Sequence, residues 1–230
     1  MELLNKDVRE ATQKRFEEMT GRVRILHFTQ EPPKLVRLGS ADGQDAAFFK
    51  ETQQLLREVS DLSEKIDFQI FDFKSDKETA AAYGIDKIPA TVIMADEDYG
   101  IRIFGIPSGY EYQTLIDGIV DVSKRDSGLA EATRKALKAV DKDIRIQVFV
   151  TPTCPYCGIA VRLAHQFALE SPRIKGEMIE STEFPQLSDK YGVYGVPKTI
   201  VNETIHFEGA VPEGVFLENV LQAVSEDKTK

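Results

Sequence analysis

Two kinds of hydrophobic pattern alternate along the chain. Runs rich in β-branched and aromatic residues at Val23–Thr29 and Ile144–Val150 are typical of strands. Apolar positions three to four residues apart predict helices, as in residues 155–169. Other helices are predicted at 6–19, 45–60, 77–83, 110–122, 129–139, 185–191 and 215–224, with strands at 66–73 and 176–180 and hairpins around Asp96 and Asn202. The order strand, helix, strand, helix, hairpin, helix predicts an α/β fold with parallel first and second strands.

This order occurs twice because the sequence repeats. Residues 8–28 align with residues 129–149 at an offset of 121, and residues 83–93 align with residues 191–201 at an offset of 108. Pro107-Ser108-Gly109 returns as Pro212-Glu213-Gly214. Three blocks in the same order indicate two related tandem units, which we assign to residues 1–123 and 124–230. The fall in offset predicts an insertion of 13 residues in the first unit, around residues 31–44.

Composition excludes several classes of function. The chain has 230 residues, of which 29% are charged, and a formal net charge of −9. This charge disfavours nucleic acid and anionic lipid as partners. The sequence contains no apolar stretch long enough to span a bilayer. Its first residues lack the basic-then-apolar layout of a secretory signal, so we expect a cytoplasmic protein.

The two cysteines, Cys154 and Cys157, carry the candidate chemistry. Two intervening residues close a ring too small to contribute much stability, so the pair indicates redox chemistry or metal binding. Zinc needs four ligands, and His27, His165 and His206 are the other soft donors, so no metal site is expected. An iron–sulfur cluster shared between two chains and a pair of unreactive core thiols remain alternatives.

The position of the pair between a strand and a helix favours redox chemistry. We predict Cys154 at the N-cap of the helix and Pro155 at its first position, where the helix dipole stabilises a thiolate. Cys157 is then shielded, one turn further in. Arg162 and Lys198 either add positive charge near the thiolate or belong to the solvated surface.

Thr153-Cys154-Pro155-Tyr156-Cys157 after a strand, with Val196-Pro197 before a later strand, resembles the thioredoxin/glutaredoxin fold. Cys-Pro-Tyr-Cys is the glutaredoxin form of the motif, and the whole chain resembles the glutaredoxin-like protein disulfide oxidoreductases of prokaryotes. The resemblance implies two tandem thioredoxin-fold units, each a mixed four-stranded core sheet flanked by helices. It implies Cys154 and Cys157 as catalytic residues, a cis proline in Val196-Pro197 and in Ile88-Pro89, and substrate binding at Val196 and Pro197. Pro155 and Tyr156 at the helix start are further candidates for substrate binding, with a simple exposed aromatic as the alternative for Tyr156.

Two departures from the family pattern stand out. The first unit has no cysteine and is expected to be redox-inactive. One active site in the second of two units also resembles the N-terminal module of the flavoprotein that reduces alkyl hydroperoxide peroxiredoxins. Thioredoxins keep a buried Asp six residues before the first cysteine. Val148 occupies this position here, so proton transfer to Cys157 is left to water or another carboxylate.

The function implied is a dithiol–disulfide oxidoreductase acting on protein disulfides or dithiols without an organic cofactor. A flavoprotein of the thioredoxin-reductase type or glutathione would supply electrons. Two alternatives are a dedicated electron relay to a peroxiredoxin and a substrate-binding or holdase protein with a vestigial redox pair.

Overall fold

The computed structural model describes residues 2–30 and 41–226, with side chains in 2–30 and 48–225. The helices are α1 (Lys6–Phe16), α2 (Ala41–Ser60), α3 (Lys77–Ala82), α4 (Glu111–Lys124), α5 (Glu131–Lys138), α6 (Cys157–Glu170), α7 (Pro185–Lys190) and α8 (Glu213–Glu226). The strands are β1 (Val23–Thr29), β2 (Ile66–Asp72), β3 (Ala90–Met94), β4 (Ile101–Phe104), β5 (Ile144–Val150), β6 (Ile174–Glu180), β7 (Lys198–Val201) and β8 (Ile205–Glu208).

The eight strands form one mixed sheet in the order β2-β1-β3-β4-β6-β5-β7-β8. β1 pairs with β2 in parallel and with β3 antiparallel, and β5 pairs in the same way with β6 and β7. The predicted parallel pairs are therefore confirmed. A parallel pairing of β4 with β6, with Ile101 opposite Gly176, joins the two halves. The expectation of two separate four-stranded sheets misses this joint, which makes the sheet continuous.

The two faces of the sheet are covered unequally. One face carries the larger apolar core, to which α1, α2, α4, α5, α6 and α8 all contribute buried side chains. The other face is covered by α3 and α7 and has a smaller core around Phe28, Phe104 and Phe149. Gly176 of β6 lets α6 approach closely, because a Cβ there would lie 2.3 Å from the carbonyl oxygen of Ala164.

The predicted limits of β1 and β5 are confirmed, whereas several helix ends differ by a few residues. α1 ends at Phe16 rather than residue 19, and α2 begins at Ala41 rather than residue 45. The last residues of the predicted insertion thus open α2, while residues 31–40 lie outside the described part of the chain. Within the described residues, no helix is both long and apolar enough to cross a bilayer.

Candidate active site

Cys154 and Cys157 form a disulfide just beyond the end of β5, with their Cα atoms 5.5 Å apart. Both sulfurs belong to the larger core face of the sheet. Cys154 is 8% exposed, and Cys157 is fully buried. Cys154 is therefore the more accessible sulfur, as the sequence predicted.

The backbone around the disulfide differs from the prediction. α6 begins at Cys157 and its N-cap residue is Tyr156, so the predictions of Cys154 as N-cap and Pro155 as first helical residue are wrong. Proline fits a turn as well as a first helical position, and here Pro155 lies in a turn before the helix. The Cys157 amide donates to the Cys154 carbonyl oxygen at 3.4 Å across this turn. The positive end of the helix is therefore closer to Cys157 than to Cys154.

The loop before β7 approaches the exposed sulfur. The Val196-Pro197 peptide bond is cis, and the Val196 carbonyl oxygen lies 3.6 Å from Cys154 Sγ. Val196 is half-buried and Pro197 is buried, whereas Pro155 and Tyr156 are exposed. The four predicted substrate-binding residues thus lie in the two loops next to the disulfide.

The corresponding loop in the first half has the same backbone features. The Ile88-Pro89 peptide bond is also cis. The carbonyl oxygen of Pro89 accepts from Gly105 at 2.9 Å, and that of Pro197 accepts from Gly209 at 2.8 Å. The first half therefore keeps the backbone geometry but has no cysteine in its sequence.

A buried carboxyl group that sequence reasoning missed lies beside the disulfide loop. Glu111 is the first residue of α4 and is 1% exposed, and neither carboxylate oxygen bonds to another described residue. The preceding residue, Tyr110, donates its amide to the carbonyl oxygen of Pro152 at 3.1 Å. Burial raises the pKa of Glu111 to about 7, and the charge of Glu180 contributes further.

The repeat contains the signal that could have identified Glu111. Two residues after Pro-x-Gly, the second half has Phe216 and the first half has Glu111. Phe216 is fully buried in contact with aromatic rings, so an acid at the matching position is expected to be buried too. Glu180 lies at the end of β6, on the same face of the sheet as Met178 and the disulfide.

The two basic residues considered near the thiolate have other partners. Arg162 of α6 pairs with Asp117 at 3.0 Å and with Asp121 at 2.9 Å, both on α4. Lys198 lies on the same face of β7 as Ile200, which belongs to the smaller core, away from the disulfide. It donates to the carbonyl oxygen of Gly192 at 2.9 Å. Their contacts are therefore structural.

The three histidines lie apart from the redox pair. His27 of β1 and His165 of α6 are buried, and burial lowers the pKa of each to about 4. His165 Nε2 lies 3.3 Å from the carbonyl oxygen of Arg102. His206 is exposed on β8. Among the described residues, no three His, Cys, Asp or Glu side chains are grouped to hold a metal ion.

Known proteins match this chain at two levels: a family model matches part of the second half, and individual relatives match most of the chain. Residues 144–222 match the family model described as thioredoxin domain. The AhpF subunit of alkyl hydroperoxide reductase from Staphylococcus aureus is 26% identical over 200 residues, which are 87% of this chain and 34% of that protein. Its counterpart from Staphylococcus epidermidis is 24% identical over 201 residues. The chain thus spans about a third of the length of these curated relatives.

Two solved structures share nearly the whole architecture. A protein disulfide oxidoreductase from Aeropyrum pernix K1 is 28% identical with a TM-score of 0.84, and the match covers 96% of this chain and 94% of that one. The NTD_N/C domain of the alkylhydroperoxide reductase AhpF from Enterococcus faecalis has the same TM-score at 23% identity, over 94% of this chain and 99% of that one, which shows a common fold. Residues 144–222 are therefore a thioredoxin-like domain, with the Cys154–Cys157 disulfide directly after its first strand.

Proposed function

We propose that the protein is a dithiol–disulfide oxidoreductase acting on protein disulfides. The disulfide beside a cis-proline loop, with Cys154 slightly exposed and Cys157 fully buried, is the observation that carries this proposal. The relation to a protein disulfide oxidoreductase supports it.

The reaction follows from the unequal exposure of the two sulfurs. In the reduced protein, the Cys154 thiolate attacks one sulfur of a substrate disulfide, and the other substrate sulfur leaves as a thiolate that takes up a proton. The Cys157 thiolate then attacks Cys154 in the mixed disulfide and releases the second substrate thiol. The substrate gains two electrons, and the protein is left with the Cys154–Cys157 disulfide. An external reductant, a flavoprotein of the thioredoxin-reductase type or glutathione, would restore the dithiol.

We assign binding of the substrate backbone to Val196. Its carbonyl oxygen beside Cys154 Sγ is placed to pair with an extended segment, as in strand addition to a sheet edge. Pro197 holds this loop, while Pro155 and Tyr156 contact the substrate from the other side. We also propose that the specificity of the protein is glutaredoxin-like, as the Cys-Pro-Tyr-Cys motif suggests.

We assign proton exchange with Cys157 to Glu111. The carbonyl oxygen of Tyr110 lies 3.7 Å from the place of a Cβ on Gly158, so the start of α4 adjoins the residue after Cys157. With its pKa raised by burial to about 7, the Glu111 carboxyl can hold or release a proton at neutral pH. This buried acid would take the role of the aspartate that thioredoxins have at the position of Val148.

We further propose two tandem thioredoxin-fold units, residues 1–123 and 124–230, of which the second carries the chemistry. The repeated strand order and the second cis proline support this division. The first unit would then be redox-inactive, because its sequence has no cysteine.

Reduction of insulin disulfides tests the proposed function. The reduced protein should accelerate insulin precipitation in the presence of dithiothreitol, and the Cys154→Ser/Cys157→Ser double variant should not. Equal activity of the two proteins would refute a redox function. That outcome would favour the alternative of a substrate-binding or holdase protein with a vestigial redox pair.

A second candidate is an electron relay dedicated to a peroxiredoxin. The relation to the AhpF subunits of alkyl hydroperoxide reductases favours it. A relay should reduce a peroxiredoxin partner much faster than it reduces insulin, whereas a general oxidoreductase should not discriminate between them. Comparing kcat/KM for the two substrates separates these alternatives.

A further inference from the structure

We propose that Tyr110, in the cysteine-free half, forms part of the surface on which a protein substrate docks, and that this surface selects an extended, uncharged segment around the substrate disulfide. The proposal rests on the function proposed above. It gives the first half a direct part in substrate choice.

The start of α4 lies directly against the disulfide loop. The amide of Tyr110 donates to the carbonyl oxygen of Pro152 at 3.1 Å. Gly109 is so close that a Cβ would lie 2.2 Å from the same oxygen. The carbonyl oxygen of Tyr110 also faces Gly158, just after Cys157. The backbone of Tyr110 therefore contacts the chain on both sides of the redox pair.

Exposed apolar side chains lie on three segments that meet near the disulfide. Tyr110 is 55% exposed, Tyr156 64%, Ile159 53% and Tyr194 98%. These four, which we call the rim, are most of the seven large apolar side chains that are exposed in the described part of the chain. Tyr156 and Ile159 flank Cys157, and Tyr194 precedes Val196 by two residues. Such clustering of aromatic side chains is typical of a protein-binding surface.

The charge pattern selects the occupant of the rim. The rim residues lie on three segments, residues 104–110, 151–161 and 191–197. These segments contain no charged residue, although 29% of the chain is charged. An acidic substrate segment would lose hydration here without gaining an opposite charge, and the nearby Glu183 carboxylate, which accepts from the Ile106 amide, would repel it. The Val196 carbonyl oxygen beside Cys154 requires an extended backbone. An extended cystine segment with uncharged, apolar flanks fits both requirements.

Kinetics of Tyr110 variants against two substrates test this proposal. Tyr110→Ala should lower kcat/KM for insulin by about three- to tenfold, mainly through KM, because ring contact with the substrate is lost. Hydroxyethyl disulfide is too small to reach the ring, so its rate should change by less than about twofold. Tyr110→Phe should keep the activity of the unsubstituted protein on both substrates. Ile70→Ala is the control, because Ile70 is 39% exposed on the outer strand β2, far along the sheet from the disulfide.

Charge selection is tested with two cystine peptides that differ in having serine or aspartate beside the cysteine. The unsubstituted protein should prefer the uncharged peptide by about threefold or more, and Tyr110→Ala should reduce this preference. An equal loss on insulin and hydroxyethyl disulfide would indicate general damage to the site and would overturn the proposal. No loss on insulin, or no preference between the peptides, would also overturn it.

A binding measurement tests the role of the rim independently of disulfide exchange. A redox-inert version of the uncharged peptide, with serine in place of cysteine, is titrated into the oxidised protein and followed by NMR chemical shifts. Tyr110→Ala should weaken its binding by about threefold or more. Equal binding to both proteins refutes the role of Tyr110 even where disulfide reduction is normal. If the unsubstituted protein reduces no disulfide, the proposed function fails, and this titration still decides the proposal about the rim.

Discussion

At the scale of single residues, an acid in the first half occupies the repeat position that an aromatic ring occupies in the second. Glu111 and Phe216 both follow Pro-x-Gly by two residues, and both are buried. A buried carboxyl is far less costly when protonated, which is why burial raises the pKa of Glu111. This exchange places an ionisable side chain at the start of α4, next to the residue whose backbone contacts the disulfide loop.

Glu111→Gln should change how stability depends on pH. The pKa of Glu111 rises from 4.5 to about 7 on folding, so between these values the native state binds more protons than the unfolded state. The free energy of unfolding therefore falls as pH rises through this window, by on the order of 3 kcal/mol. The variant should match the unsubstituted protein near pH 4 and be more stable at pH 8. Urea unfolding at both pH values measures this, and a less stable variant at pH 8 would contradict it.

Unequal exposure of the two sulfurs predicts different fates for the single cysteine variants. Cys157→Ser keeps the accessible nucleophile but cannot resolve a mixed disulfide, so it should trap substrates covalently. Cys154→Ser lacks the attacking sulfur and should be inactive. Non-reducing electrophoresis after incubation with a disulfide substrate shows the trapped adduct. An adduct with Cys154→Ser instead would reverse the assignment of the two roles.

At the scale of elements, the start of α4 positions the disulfide loop. Gly109 has a φ of +62°, and its backbone packs against the carbonyl oxygen of Pro152, two residues before Cys154. A side chain at this position would strain the backbone, because φ is positive. It would also clash with backbone atoms that cannot easily move. This glycine is therefore needed where the two halves meet at the site.

Gly109→Ala should destabilise the protein by roughly 1–3 kcal/mol and lower the rate of disulfide reduction, because the loop before Cys154 must shift. Gly214→Ala is the matched control at the corresponding position of the repeat. Gly214 lies in α8 with open space where a Cβ would be, so this change should be neutral or slightly stabilising. Thermal unfolding and insulin reduction of both variants test the difference. Equal effects would contradict the packing argument.

Local patterns predicted the elements well but not their ends or their tertiary surroundings. The apolar runs at 23–29 and 144–150 are strands with the predicted limits, since β-branched residues bounded by polar ones leave little choice. The start of α6 was misplaced because proline is compatible both with a first helical residue and with a turn. The two cysteines and the cis prolines followed from the motif, whereas burial of Glu111 depends on contacts between the halves.

At the scale of the whole molecule, the pairing of β4 with β6 makes one sheet of two halves. Both strands are almost fully buried, although β6 carries charged residues, and a sequence pattern cannot show whether another chain segment covers the edge of a strand. Helices α4 and α6 pack beside this joint, and Arg162 pairs with Asp117 and Asp121 across it. We therefore expect the chemistry in the second half to depend on support from the first.

Removing the first half should expose this joint. A fragment of residues 127–230 has β6 as an open edge strand, leaves Met178 and Ile179 without their neighbours on β4, and lacks the carboxylates that pair with Arg162. Each uncovered large apolar side chain forfeits about 1.5–3 kcal/mol of burial energy, so we expect a loss of more than roughly 3 kcal/mol in the free energy of unfolding. Urea unfolding monitored by circular dichroism, with the full-length chain alongside, measures this loss.

The activity of the same fragment distinguishes a supporting half from an inert one. Cys154, Cys157, Val196 and Pro197 all remain in it, so hydroxyethyl disulfide should still be reduced wherever the fragment is folded. Loss of Glu111 should slow the reduction of both substrates, and insulin reduction should fall further because the Tyr110 ring is also gone. A folded fragment as stable and as fast with insulin as the full chain would show that the first half contributes neither packing nor substrate contact. The parallel joint at β4 and β6, with α4 against the disulfide loop, predicts the opposite.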